Sequence, residues 1–343
     1  MKQNTDFKER IVQSVRSAQA SPTGKIALYS DESVNPEDFR NELVFFIKPE
    51  ITKASPHSNL PGVLDTVFEK LDQFGVRIVN AQLLGAQYLK DSGVMASHYG
   101  VINKVATDPK QYMSQAAKDN FKAQFGSDVD VAPVVGAIQA LGQDKSLTPE
   151  RLENIWKQGK TTKLAGGTYC APVSMGGGTV YLMNGFHPQQ LQHFVADGRS
   201  IVAFQVVSNT DWTTLRNNLI GATDPAKAAP GSLRNEFLLA KSYFGLDEVS
   251  QGSNGVHLSA GPIEGTVEVS RFFDGPNQLQ RALETRPVGR ALKNQFGEAR
   301  ALHVLSDGKI EVAGKVMGAF DATEEKNGDD AIGIIAQSKL ILG

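Results

Sequence analysis

The chain has 343 residues, with 35 Lys and Arg against 37 Asp and Glu, so its formal net charge is −2 and its pI is near 6.3. That even balance argues against a dedicated nucleic-acid or membrane-surface binder, and the single cysteine, Cys170, excludes an intramolecular disulfide and a Cys-rich zinc site. Hydrophobic residues at 41% support a real core, while no apolar run reaches the roughly 18 residues of a membrane span and the first twenty residues lack a secretory segment, which together suggest a cytoplasmic globular protein of about two domains.

In chain order, Phe7, Ile11, Val12 and Val15 share the spacing of one amphipathic helix, followed by a polar connection to about residue 40. Residues 43–47 (LVFFI) read as a buried strand closed by Lys48-Pro49, which sets Lys48 at the sheet margin. Val63, Leu64, Val67, Phe68, Leu71 and Phe74 fall on one helical face, with Gly75 in the place of a C-cap glycine. Val76, Ile78, Ala81 and Leu83 then line a second strand, and a helical stretch runs to about Tyr99. Residues 106–183 change character, with two helical patterns and a Gly-rich hairpin around Gly176-Gly177, and read as an inserted subdomain. A helix ending at Gly198, a strand over 201–206 and a helix between Asp211 and Gly221 follow. Beyond residue 275 the expectation is one helix over 277–296, an alternating pair about the Asp307-Gly308 turn, and a final strand over 332–342.

None of the six histidines shows a metal-ligand spacing, so protein-bound metal is not expected. Gly159-Lys160-Thr161 suggests a phosphate loop, but the first glycine of that motif falls on Asn154, and the reading is rejected. His257 stands out for its company: Asn254 lies three residues before it and Glu268 eleven after. A nucleophilic histidine needs one nitrogen available and the other held by an acceptor, which fixes tautomer and orientation. On that window alone a structural histidine remains the commoner outcome.

The wider chain resembles the nucleoside diphosphate kinase family over about residues 42–105 and 184–275. The likeness rests on an ordered set of polar residues: Lys48, Tyr99, Thr223, Arg234, Asn254, His257, Ser259 and Glu268, with the Thr223-to-Arg234 and His257-to-Glu268 spacings kept. It implies an α+β, ferredoxin-like βαββαβ core, with an N-terminal extension (1–41), the inserted subdomain (106–183) and a C-terminal extension (276–343). It also implies ping-pong transfer of the γ-phosphate of ATP or another nucleoside triphosphate to a nucleoside diphosphate through phospho-His257, with Mg²⁺ carried on the nucleotide phosphates rather than in a protein cage. Lys48 and Tyr99 would contact the transferring phosphate; Arg234 with Thr223 would hold the β- and γ-phosphates; Asn254 would contact the ribose; Glu268 would fix the histidine; and Ser259 would keep a hydroxyl near the tyrosine and lysine. Phe186 or His187 would stack on the base, Phe186 being the more conventional choice. A homo-oligomer, a dimer or higher, is the implied assembly.

The chain departs from the family pattern at several points. Leu258 and Ala260 replace a glycine and an aspartate, and the leucine is expected to add bulk beside the nucleophile. A second phosphate-binding arginine is expected at position 217, which is Asn217, with Arg216 one residue out of phase unless a helix irregularity restores it. Arg234 and Asn254 are twenty positions apart, about ten more than in the family. A nucleotide-binding or scaffold module without turnover is the alternative these departures raise.

Overall fold

The computed structural model describes residues 2–275 and 277–341. The chain divides into two compact units, one of residues 1–88 and 197–343, the other of residues 89–196.

The first unit is built on a five-stranded, wholly antiparallel sheet. Helix α1 (Lys2–Ala20) leads into strand β1 (Lys25–Ser30), which is followed by β2 (Asn41–Ile47), helix α2 (Leu60–Gln73) and β3 (Val76–Gly85). After the second unit come β4 (Ser200–Ser208), helix α3 (Trp212–Thr214 continued by Leu215–Ile220), β5 (Val256–Leu258) and helix α4 (Pro262–Val269). The strand order is β1-β3-β4-β2-β5. Without β1, the sequence β2-α2-β3-β4-α3-β5 in the order β3-β4-β2-β5 is a ferredoxin-like βαββαβ core. Asn59 caps α2 by accepting from the Gly62 N–H at 3.1 Å, with Pro61 in the first turn where its missing N–H costs nothing.

Side chains alternate across the sheet, and the two faces differ in kind. Leu43, Phe45, Ile47, Val202, Phe204, Val206, Val256 and Leu258 join Ile11 and Val15 of α1, Val63 and Val67 of α2, and Leu215 and Leu219 of α3 in one apolar cluster. Each such buried side chain contributes about 1.5–3 kcal/mol. The intervening positions carry Glu42, Gln205 and His257. Arg286 donates to Glu42 Oε1 at 3.2 Å, Gln205 Nε2 donates to the same oxygen at 2.7 Å, and Arg286 also pairs with Asp274. Burial raises the Glu42 carboxyl above its ordinary range, against the opposing pull of Arg286 and Gln205.

Residues beyond 276 form a second apolar cluster around α4, in which Ile263 and Val267 pack with Leu283, Leu292, Val304, Ile310 and Ile335. Four expectations change here. The alternating pair turns at Ala313-Gly314, between Lys309–Val312 and Lys315–Gly318, and not at Asp307-Gly308, which instead follows helix Glu298–Leu305. Residues 25–30, read as connection, form β1. The helix expected over 277–296 is two, Gln278–Thr285 and Pro287–Phe296, because Pro287 cannot donate to the helical ladder and forces Arg286 into extended backbone. Most of the expected final strand is helix Gly328–Gln337; only Lys339–Leu340 pairs as strand, and Leu342 lies outside the described residues.

The second unit has a four-stranded sheet in which the hairpin Thr168–Met175 and Gly178–Met183 is flanked by Thr162–Ala165 and, in parallel, Val134–Gly136. It has its own apolar clusters, one around Phe121, Cys170 and Met183 and one around Trp156, Leu152 and Leu182. Burial pushes the Cys170 thiol up to about 12, so it is a packing residue rather than a reactive one. This unit is wider than the 106–183 expectation and takes in Tyr99 and Phe186.

Arg286→Met would strand the Glu42 carboxylate in the core, at a cost of about 3–5 kcal/mol near neutral pH. Because burial raises the Glu42 pKa in the folded state, that deficit should shrink as pH falls and the carboxyl takes up a proton. Urea denaturation of wild type and variant at several pH values checks this, and a deficit that grows on acidification would contradict it.

Candidate active site

His257 sits in the middle of β5, opposite Phe46 of β2, and its ring lies flat on the Phe46 ring at 4.4 Å between centroids. Its Nε2 is 3.3 Å from Glu268 Oε2. Glu268 is 0% exposed and is carried by α4, whose first turn follows the Gly261-Pro262 corner. The same carboxylate oxygen accepts from Ser259 Oγ at 2.5 Å. Ser259 is fixed in turn: the Val44 N–H donates to its hydroxyl at 2.9 Å, its own N–H donates to the Val44 carbonyl at 3.0 Å, and Trp212 Nε1 donates to its carbonyl at 3.1 Å. A carboxylate acceptor on Nε2 places the proton of the neutral ring there and the lone pair on Nδ1. Burial and the Glu268 charge raise the neighbouring Glu264 carboxyl well above the usual range, which spares the helix a second buried anion.

The cations stand around β5, Lys48 just after β2 and the two arginines on helices. Lys48 ends β2 and is buried; its Nζ donates to Asn254 Oδ1 at 2.7 Å. Burial brings its pKa down to about 8, with Glu50 opposing and Arg234 adding to the shift. Asn254 is buried and passes the contact on, donating from Nδ2 to the Thr223 carbonyl at 3.0 Å and the Gln251 carbonyl at 3.2 Å. Thr223 itself is exposed, on the loop between α3 and helix Leu233–Leu239. Arg234, on that helix and buried, donates to the Gly221 carbonyl at 2.9 Å and the Val256 carbonyl at 3.1 Å. Arg216 donates to the Leu258 carbonyl at 3.0 Å. The two guanidiniums therefore grip the carbonyls on either side of His257.

Arg216 reaches that position because residues Leu215–Ile220 are π-helical, with the Gly221 N–H bonded to the Arg216 carbonyl five residues back at 3.1 Å. A π turn absorbs one extra residue and advances every residue before it relative to those after. This is the irregularity needed to bring Arg216, rather than Asn217, toward β5.

The expectation that Leu258 crowds the nucleophile is overturned. Neighbours on a strand point to opposite faces, so with His257 on the polar face Leu258 is fully buried in the apolar cluster beneath. Tyr99 and Phe186, expected on the kinase-like core, belong to the second unit. There the Tyr99 ring packs against His187 and Phe194, and Phe186 against Trp156 and Tyr169. Two residues escaped the sequence reading. Glu50 accepts from the Gly255 N–H at 2.8 Å, and Gly255 has φ of +83° and no room for a Cβ, which would lie 2.6 Å from the Phe237 ring. The contact holds the turn between Asn254 and His257. Its only sequence signal was the position of Glu50 two residues after Lys48.

A ferredoxin-like core with a carboxylate-held histidine on its edge strand, ringed by a lysine and two arginines, is an arrangement suited to phosphoryl groups. No model of a known protein family matches the chain. Among curated proteins it is similar to the nucleoside diphosphate kinase of Rhodopseudomonas palustris (strain BisA53), with 36% identity over 86 residues, 25% of this chain and 53% of that protein. With the nucleoside diphosphate kinase of Dinoroseobacter shibae the identity is 33% over 100 residues, 29% of this chain and 63% of that one. The chain spans about half the length of the curated relatives it matches. Among solved structures, the nucleoside diphosphate kinase of Encephalitozoon cuniculi aligns with a TM-score of 0.34 and 12% identity, over 68% of this chain and 88% of that one. Over the region matched among curated proteins the chain is similar to nucleoside diphosphate kinases, and it carries further segments outside it. No helix among the described residues is long and apolar enough to cross a membrane.

Since Leu258 is core, Leu258→Ala should cost about 2–5 kcal/mol of folding stability. Chemical denaturation of the variant measures this; a loss under about 0.5 kcal/mol would place the side chain elsewhere.

Proposed function

We propose that this chain is a nucleoside diphosphate kinase-like phosphotransferase working by a ping-pong mechanism through His257. The observation that carries this is the His257–Glu268–Ser259 constellation: one ring nitrogen is committed to a buried carboxylate, so the nucleophilic role falls to Nδ1.

In the first half-reaction the Nδ1 lone pair attacks the γ-phosphorus of a nucleoside triphosphate. The N–P bond forms, the bond from phosphorus to the β,γ-bridging oxygen breaks, and the nucleoside diphosphate leaves. In the second, a terminal oxygen of another diphosphate attacks the same phosphorus and the N–P bond breaks. The Glu268 carboxylate stabilises the positive charge that develops on the ring as Nδ1 bonds, and the Phe46 ring keeps the imidazole in plane. Charge on the transferring group is spread over its oxygens, so fixed cations near them lower the barrier without reorganisation. Lys48 supplies a compact point charge, and Arg234 and Arg216 planar donors. Asn254 and Thr223 border the same space and suit the ribose and a phosphate; Tyr99 and Phe186 are assigned phosphate and base contacts on the family resemblance alone.

Magnesium fits this site as an ion delivered on the nucleotide. Lys48, Arg234, Arg216 and Asn254 suit charged phosphates, while the Glu268 oxygen is already shared by two donors and Glu50 holds the Gly255 N–H, so a divalent ion would be carried mainly by the phosphates. When bound it neutralises charge on the phosphates. The same engagement of Arg234 and Arg216 with backbone carbonyls favours the second reading, a nucleotide-binding module with slow or no turnover.

Incubation with γ-labelled ATP should give an acid-labile, alkali-stable phosphoprotein that His257→Ala abolishes. A protein that binds ADP but takes no label supports the second reading instead. Lys48 adds a pH signature: its charge, present below about 8 and lost above, should make ADP affinity fall between pH 7 and 9, roughly two units earlier than an ordinary lysine allows. Calorimetry across that range measures it, and the decline should be absent in Lys48→Arg, which stays charged.

A further inference from the structure

The loop 323–328 of the C-terminal segment is fastened to the active-site turn and to the arginine-bearing helix at once. The Glu325 N–H donates to the Ala260 carbonyl at 2.9 Å, and Thr213 Oγ1 donates to the Glu325 carbonyl at 3.0 Å. The approach is close: a Cβ on Gly261 would lie 2.7 Å from the Thr323 carbonyl oxygen. Two residues further on, the Asn327 side chain accepts from the Trp212 N–H at 2.9 Å and from Asn41 Nδ2 at 3.0 Å. Between these anchors Glu325 has φ of +57°, a left-handed conformation that a glutamate holds only where its surroundings impose it.

What the loop delivers is a carboxylate beside Arg216. With Nη1 on the Leu258 carbonyl, the guanidinium edge formed by Nε and Nη2 is the fork that a planar or tetrahedral anion would take. Arg216 Nε is buried and has no hydrogen-bond partner among the described residues. Glu325 Oε1 lies 4.0 Å from it, inside ion-pair range but beyond hydrogen-bond length. The Glu325 side chain is 38% exposed, so the pair is screened by water and readily exchanged.

We propose that Glu325 is a resident counter-ion for Arg216, standing where a phosphate oxygen would stand and giving way to it when nucleotide binds. This rests on the phosphotransferase reading above. Carboxylate and phosphate cannot both occupy one guanidinium edge, so Glu325 sets nucleotide affinity by competing for the arginine. A purely positioning acid would act the other way, and its removal would loosen binding.

The test is calorimetric titration of ADP into the full chain, comparing wild type, Glu325→Gln, Arg216→Gln and the double variant, with thermal melting of each. Glu325→Gln should tighten ADP about two- to fivefold, the range an exposed ion pair carries. The same change should have no effect in the Arg216→Gln background, the mark of coupling through that arginine; Arg216→Met, equally uncharged, is the second background should the glutamine variant fail to fold. ADP binding that Glu325→Gln leaves unchanged or weakens overturns the proposal. Equal tightening with and without the arginine also overturns it, since that is a general charge effect. Absence of ADP binding in both wild type and Glu325→Gln overturns the nucleotide reading and this one with it, so the two failures are distinct.

Discussion

A fully buried carboxylate shared by a histidine and a serine is the contact around which the first unit is arranged. An ionised Glu268 in an apolar surrounding is costly unless its oxygens find donors, and Ser259 and His257 supply two to one oxygen. That demand fixes much else. Ser259 must follow β5 in a set register, which its exchange of bonds with Val44 enforces. Helix α4 must lie flat against the sheet, and the outer side of α4 must itself be covered. The residues beyond 276 provide that cover.

The sheet therefore separates two tasks. Its apolar face, against α1, α2 and α3, supplies the bulk of the folding energy and tolerates no charge. Its other face carries Glu42, Gln205 and His257: Glu42 is answered by Arg286 of the C-terminal segment, His257 by Glu268 of α4, and Gln205 by Glu42 itself. The C-terminal segment is thus integral to the first unit: it contributes Arg286 to the buried pair with Glu42 and the apolar residues that seal α4.

Three of the four core strands and both core helices are legible in the sequence because each has a clear period or a clean boundary, such as the LVFFI run or Gly75 after α2, whereas β5, only three residues long, carries no such signal. The eleven-residue spacing of His257 and Glu268 is also legible, though the meeting of a strand residue with a helix-borne acid needs the fold. Other features depend on information that is not local. KIALYS is a strand only because β3 offers an edge, and the apolar IGII run suits helix or strand until its neighbours decide. Leu258 looked intrusive beside His257 until the alternation of β5 sent it to the other face. Arg216 could be placed only once the helix carrying it was seen to widen by one residue. Glu50 is invisible without the turn it holds, because its partner is a backbone N–H two hundred residues away.

Strand β1 has an effect beyond its own few contacts. In the βαββαβ arrangement β3 would be a boundary strand, with a row of unsatisfied backbone groups open to any passing chain. Here β1 takes that row for itself along Lys25–Ser30, and the new boundary it creates is short and interrupted by a bulge between Ala27 and Tyr29. Such an edge is a poor template. The N-terminal segment therefore acts as a built-in terminator for the sheet, so that copies of this protein meeting in solution have no ready way to join through β3 into one continuous ribbon.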